Sequence, residues 1–500
     1  ESSERTIVTP PIELAGAESR WPTAVELPAG FIEELRAIAP FIDDAAAVAE
    51  ASRDWWPLTM HWALAGQVPA RAGVVVRPQQ VEEVAAVVAC CAGAGVPITA
   101  AGGRSGVCGA SIPAFGGVVL DLTGLAGIVE VDAESGVVEV LAGTFGPDLE
   151  AELQGIHGLS VGHFPQSFEL ATVGGWVACR GAGQYSTRYG KVEDMVVGLE
   201  VVLADGTVVR TGGSPAAAVG PDLTQLFVGA EGTLGIVTRV WLRAHPVPPH
   251  TARAAYWFAS FGAGVEVCRR VLRRGATPAV LRLYDPAESQ RGHVGDGRRA
   301  LLLVLDECDE ALVQATLDIV AAECLADGAE AGADALVDAW LAHRTDTSAL
   351  QALTRKGFVV DTMEIAAPWS RLVELFEAAP AALLAVPHAR AATCHLSHSY
   401  PDGACLYFPF AATPPPEEVE ATYVALWDAG QRTVLEHGGN LSHHHGVGLN
   451  RARFLPEALG PAFGVLAAVK AALDPSGILN PGKLGLPSPF GAAPWPPPTP

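Results

Sequence analysis

The sequence predicts an α+β fold divided into two domains, on three observations. Residues 74–98 read as strand, helix, strand. Residues 116–143 and 201–213 are dominated by short β-branched runs bounded by Asp, Gly and Ser. After Pro246 to Pro249 the texture changes, and residues 254–384 alternate helical and strand patterns suited to a second, α/β domain. A chain of 500 residues with 49% hydrophobic content can bury the cores of two such domains.

Within residues 1–70, short helical patterns such as 30–38 and the aromatic set Trp55, Trp56 and Trp62 are expected to pack as a cap. The segment RPQQVEEVAAVVACCAGAGVPIT predicts a turn and an amphipathic helix over 81–94 between two strands, with Gly93 and Gly95 as stop signals. VVLADGTVVRTGG predicts a hairpin turning at Asp205 and Gly206. The expected boundaries are 1–70 for the helical N-terminal segment, 71–248 for the first domain, 249–440 for the second and 441–486 for a C-terminal segment. The tail, 487–500, ends in APWPPPTP, which cannot form a ladder or helix, and is expected to be disordered or draped on the surface.

Charged residues make up 17% of the chain, and 55 acids against 32 bases give a formal charge of −23 spread along it. No basic face is available to displace counterions from phosphates, so a nucleic-acid partner is not expected. Nine cysteines show no CxxC pair, and they read as reduced and mostly buried. Apolar stretches such as 366–387 are broken by Arg371, Glu374, Glu377 and prolines, so no integral membrane segment is expected. With no signal peptide visible in ESSERTIVTP, the expected location is cytoplasmic.

A cofactor carrying a pyrophosphate needs backbone N–H groups converging on oxygen, and glycine lets main chain come close. AAGGRSG, with Gly102, Gly103 and Gly106 after an apolar run, suits such a nest, although no GxGxxG lies between a strand and a helix as a dinucleotide fold requires. It is followed in order by PQSFELATVGGWVACRGAG and EGTLGIVT. Over residues 74–245 these segments resemble the vanillyl-alcohol oxidase and p-cresol methylhydroxylase flavoprotein superfamily. The resemblance implies FAD between two α+β subdomains, a substrate or cap domain, and a C-terminal return to the FAD domain. It implies a pyrophosphate loop of Ala101, Gly102, Gly103, Arg104 and Ser105. Flavin and ribityl contacts would come from Pro165, Ser167, Thr172, Gly174, Gly175, Cys179, Arg180 and Ala182, and the adenosine side from Glu231 to Ile236, including Gly235. Many members anchor FAD through a histidine of the first loop. Here Arg104 and Ser105 stand there, so non-covalent FAD is expected.

The chemistry is expected in CHLSHSYPDGACLYFPF and LSHHHGVGLNRARFL. Strand alternation would set His395, Ser397 and Ser399 against Leu396, His398 and Tyr400. If the triple-histidine run is extended, His443 and His445 share a face and His444 opposes them. No metal is therefore expected, and acid/base work is the preferred reading because imidazole exchanges protons near neutral pH. Both segments resemble alkyldihydroxyacetonephosphate synthases, a likeness running over residues 55–484 and including EIAAPWSR at 364–371. It implies proton transfer by Tyr400 and His444, oriented by His443 and His445.

One position departs from those synthases. Their substrate-handling arginine falls, by spacing, on neutral Gln351, which cannot make the charge-assisted fork of an arginine. Arg355 or Arg390 would have to replace it, with His398 a further substrate contact. DPSGILNPGKL instead resembles FAD-dependent D-lactate and glycolate dehydrogenases, and HVGDG at 293–297 is expected to be only a polar loop. The leading expectation is an FAD-dependent oxidoreductase acting on an alcohol or 2-hydroxy acid, passing electrons to O2 or another acceptor. The alternatives are the synthase and a non-catalytic flavin-binding protein. Relatives of this kind are often dimers, so a homodimer is the expected assembly.

Overall fold

The structure is a computed structural model that describes residues 7–21, 25–346 and 349–497, leaving the side chains of 349–351 outside the description. Helix Val81–Ala94 begins on Glu82 and Glu83, which suit its N-terminal dipole, and stops at Gly95, whose φ of 66° continues no helix. It covers a small sheet in which Val74–Val76, Val118–Asp121 and Ile98–Ala101 run parallel and Phe41–Ile42 pairs antiparallel at the edge. The expected hairpin is Val196–Val202 with Val208–Gly212, at the edge of a five-stranded sheet whose core is Val138, Val140, Leu199, Val201 and Val240. These two sheets form two α+β subdomains within the first domain.

The second domain is one antiparallel eight-stranded sheet. Its strands His250–Phe258, Ala300–Cys308, Val280–Tyr284, His395–Ser399, Gly403–Ala412 and Val359–Pro368 are neighbours in that order, the last at the edge. Helices Phe261–Arg273, Glu310–Ala326, Leu372–Leu384 and Val419–Glu436 supply buried residues to the same core.

After the helix Ala462–Leu473 the chain returns to the first domain, where Leu479 bridges to Ile98. Buried Lys483 donates to the Ile112 carbonyl at 2.6 Å, and Asn480 donates to the carbonyls of Ala110 and Glu231.

The tail corrects the sequence reading. Trp495 is only 3% exposed and packs edge-on against Trp56 and Trp62, with ring centroids 5.4 and 5.8 Å away. A proline-rich segment needs no ladder to be placed when one aromatic side chain finds a pocket. Among the described residues no single helix is long and apolar enough to cross a membrane. All nine cysteines are free thiols, most of them buried.

Candidate active site

A cavity of about 550 Å³ runs between the two domains, from the Gly102–Gly103 turn to the histidines of the eight-stranded sheet. Its first end is shaped by the absence of side chains. A Cβ on Gly103 would lie 1.9 Å from the Leu170 carbonyl oxygen, and one on Gly102 would lie 2.2 Å from Thr172 Oγ1, so only glycine fits this close approach of two loops. Ala101, Gly102, Gly103, Arg104, Ser105, Pro165, Ser167, Thr172, Gly174, Gly175, Cys179, Ala182, Glu231, Gly235 and Ile236 all line the cavity.

Arg180 does not. It caps the helix Val173–Cys179 in the left-handed region and turns outward to Glu193 at 3.2 Å, with a side chain 48% exposed. The helix end aims this residue away from the motif that surrounds it.

The walls fit a polar cofactor. Among the described residues, Arg104 Nη1, Ser111 Oγ, Trp176 Nε1 and both ring nitrogens of His163 are buried without a hydrogen-bond partner, and all five atoms belong to cavity residues. Buried polar atoms of this kind are costly unless a ligand or water satisfies them. His163 lies 4.5 Å from the Trp176 ring, and burial pulls its pKa down to about 3, leaving it neutral.

The other end is built by the second domain. Strand His395–Ser399 carries a register shift between Leu396 and His398, so simple alternation fails there, and His395, Ser397 and His398 all line the cavity. Tyr407, from the next strand, stacks on His395 at 4.8 Å and faces His444 at 6.0 Å. His444 and His445 also line the cavity.

Tyr400 and His443 stand one layer behind. The Tyr400 hydroxyl lies 2.8 Å from His443 Nε2 and 2.9 Å from Ser186 Oγ, and His443 Nδ1 lies 2.9 Å from His444 Nδ1. The triple-histidine run is therefore not extended. It lies in a loop that brings ring nitrogens together, against the expectation that they diverge, and one ligand atom each from His398, Cys405, His443 and His444 falls within 4.8 Å of the others. Burial, followed by the charge of Lys191 for His443 and of His445 for His444, holds both imidazoles well below their ordinary pKa.

Glu364 holds this loop in place. Fully buried, its carboxylate pairs with Arg451 and accepts N–H bonds from His444 at 3.1 Å and His445 at 2.8 Å, and the Ser442 hydroxyl at 2.6 Å. Burial raises its pKa, but Arg451 and His445 overcome that and hold the carboxyl well below its ordinary value. Glu231 performs the same service on the far side, accepting from the N–H groups of Val447 and Gly448. Lys191 donates to the His443 carbonyl at 2.7 Å.

Neither arginine that the sequence offered for substrate handling reaches the cavity. Arg355 and Arg390 are exposed and line no part of the cavity, Arg390 donating instead to Thr413 at 2.6 Å, and the side chain of Gln351 lies outside the described residues. The cavity cation at this end is Arg282, held by the Tyr284 hydroxyl at 2.7 Å and His395 Nε2 at 2.6 Å. Its LRLY setting reads only as a strand, and no local signal marks it as a cavity residue.

A family model for an FAD binding domain matches residues 72–212, and one for the C-terminal domain of FAD linked oxidases matches residues 247–484. An FAD-linked oxidoreductase of Escherichia coli, YgcU, is 32% identical over 78% of this chain and 83% of its own length. The chain belongs to the FAD-linked oxidases. Within this family it is also 28% identical to the alkyldihydroxyacetonephosphate synthase of Dictyostelium discoideum, over 84% of this chain and 74% of the synthase. The glycolate oxidase subunit GlcD of Bacillus subtilis is 29% identical over 82% of this chain and 88% of the relative.

Two solved structures share the fold. An alkyldihydroxyacetonephosphate synthase superposes with a TM-score of 0.77 at 24% identity, covering 94% of this chain and 89% of the other. p-Cresol methylhydroxylase with bound substrate gives 0.73 at 18% identity, covering 93% and 98%. The residues matched by the FAD binding domain and those matched by the C-terminal domain thus line the two ends of the cavity described above.

Proposed function

We propose that this FAD-linked oxidase removes a hydride and a proton from a CH–OH group of a small alcohol or 2-hydroxy acid, leaving a carbonyl. Bound FAD supplies the hydride acceptor, its N5. The observation that carries the reading is the hydrogen-bonded row His444, His443, Tyr400, Ser186, which starts at the cavity wall and leads away from it.

With each proton directed outward along the row, His444 Nδ1–H donates to His443 Nδ1, His443 Nε2–H donates to the Tyr400 oxygen, and Tyr400 donates to Ser186. That arrangement leaves His444 Nε2 as an acceptor for the substrate hydroxyl proton. Tyr400 and His443 act through His444, and His445 is positioned by Glu364. Arg282 offers a planar fork to a substrate carboxylate, and Tyr407 and His398 close the pocket around the reacting carbon. FAD is held without a covalent link by the glycine turn and Arg104, so acid precipitation should release all flavin into the supernatant.

The experiment is the anaerobic absorption spectrum of the flavin-loaded protein as 2-hydroxy acids, alcohols and acyl dihydroxyacetone phosphate are added in turn. Bleaching to reduced flavin by a hydroxy acid or alcohol supports oxidation. The synthase reading draws on the 28% identity to the Dictyostelium enzyme. An adduct spectrum with the acyl phosphate alone, discharged by a fatty alcohol, would support it and overturn ours.

A further inference from the structure

A second pocket of about 230 Å³ opens off the Arg282 end of the main cavity and shares Gln166, Gln184 and Arg282 with it. Its remaining walls carry Tyr284, His293, Trp340, His343 and Arg344. Two guanidinium groups and two imidazoles thus surround a pocket with no acidic side chain in its lining.

Among the described residues neither Arg282 nor Arg344 makes a salt bridge within 4.0 Å, in a chain whose formal charge is −23 and whose arginines mostly pair with acids. Arg344 is held instead by Gln184 Oε1 at 3.0 Å and by the faces of Tyr185 and Phe164, at 5.0 and 5.6 Å. Glu288 and Glu307, whose charges act on Tyr284 and Arg344, are engaged elsewhere: Glu288 by His395 and Thr393, Glu307 by the Tyr189 hydroxyl. His293 is buried against Tyr284 with Nδ1 lacking a partner, and burial followed by the Arg282 charge lowers its pKa to about 4. A held guanidinium without a salt bridge, beside an unsatisfied imidazole, is what recognises an anion.

We propose that this side pocket is a subsite for a second anionic group, a carboxylate or phosphate carried at a distance from the carbon that is oxidised. It rests on the oxidation reading for one point, that the reacting carbon sits among His398, Tyr407 and His444. The substrate class is then a hydroxy acid or hydroxy compound with an anionic tail. Arg282, common to both cavities, stands between the reacting end and the tail, with Arg344 and His343 beyond it.

The test is calorimetric titration of the FAD-loaded protein with glutarate and with butyrate, which bear two charges and one and cannot be oxidised here. Glutarate is expected to bind about tenfold or more tightly, the scale of a charge-assisted hydrogen bond. Arg344→Gln should reduce that preference to about twofold while leaving butyrate unchanged. Ala339→Glu, an exposed substitution on the pocket rim, should do the same by repulsion and guards against a folding artefact in the first variant. Inorganic phosphate added in competition separates the two tails: displacement of glutarate supports a phosphate-bearing substrate, and retention of the preference a dicarboxylate.

Equal affinity for the two acids in the unaltered protein, no binding of either, or equal weakening of both in Arg344→Gln would overturn the subsite. Flavin bleaching is measured separately. Persistent glutarate preference without bleaching by any hydroxy compound would remove the oxidation reading and leave the subsite standing.

Discussion

Glu364 and His444 carry different burdens, and substitutions should separate them. Glu364 has no exposed surface and neutralises an equally buried Arg451, so Glu364→Gln strands a guanidinium in the interior. Removing one partner of such a pair typically costs about 3–5 kcal/mol, and the guanidinium chloride midpoint should fall accordingly. The pH dependence has a definite sign. Because the folded carboxyl titrates below its ordinary 4.5, the unfolded chain binds the proton first on acidification. The contribution is complete above about pH 4.5 and is lost as pH falls through the folded value beneath it. Denaturation midpoints measured from pH 7 to 3 should therefore drop more steeply in the unaltered protein than in Glu364→Gln.

His444→Asn should fold normally and slow anaerobic flavin reduction by about 10²–10⁴, the contribution of a positioned base. Tyr400→Phe, one layer back, should slow it less. Equal rates in all three proteins would dismiss the relay. The triple-histidine run and its acid/base role could be read from the sequence because chemistry is written in residue type. The Glu364–Arg451 pair could not, since its members lie 87 positions apart and nothing in either segment names the other.

At the level of elements, the register shift in His395–Ser399 decides which side chains reach the cavity. Alternation alone assigned Ser397 and His398 to opposite faces. One extra residue between ladder positions turns both inward, and no sequence signal marks it. Glycine turns are more legible, since two loops can touch at Gly102 and Gly103 only if neither carries a Cβ. That makes Gly103→Ala a sharp test. The added methyl meets backbone, not a movable side chain, so the turn must shift away from Leu170. Purified Gly103→Ala is expected to show a reduced ratio of flavin to protein absorbance with an otherwise ordinary circular dichroism spectrum. Full flavin occupancy would show that the close approach is dispensable to cofactor binding.

At the scale of the whole molecule, the chain is closed by contacts between parts remote in sequence. Trp495 from the tail meets Trp56 and Trp62 from the N-terminal segment and Tyr423 from the helix Val419–Glu436. The Trp56 indole donates to the Tyr423 hydroxyl at 2.8 Å, and Tyr423 in turn donates to Asp361, a cavity residue. The tryptophans of the N-terminal segment were expected to cluster. Their partner was hidden because a proline-rich tail carries no periodicity from which a buried position can be inferred.

Trp495 itself does not line the cavity, so its role should be mechanical. Trp495→Ala removes a buried indole and should cost about 3–5 kcal/mol. Trp495→Phe keeps most of the packing and removes an indole N–H that has no partner among the described residues, so its cost should be smaller. Both variants should bleach their flavin at the unaltered rate once loaded, because Tyr423 keeps its bonds to Trp56 and Asp361. A slowed rate in Trp495→Phe at unchanged denaturation midpoint would mean that the tail reaches the chemistry through Asp361, and would overturn its assignment as a purely structural clasp.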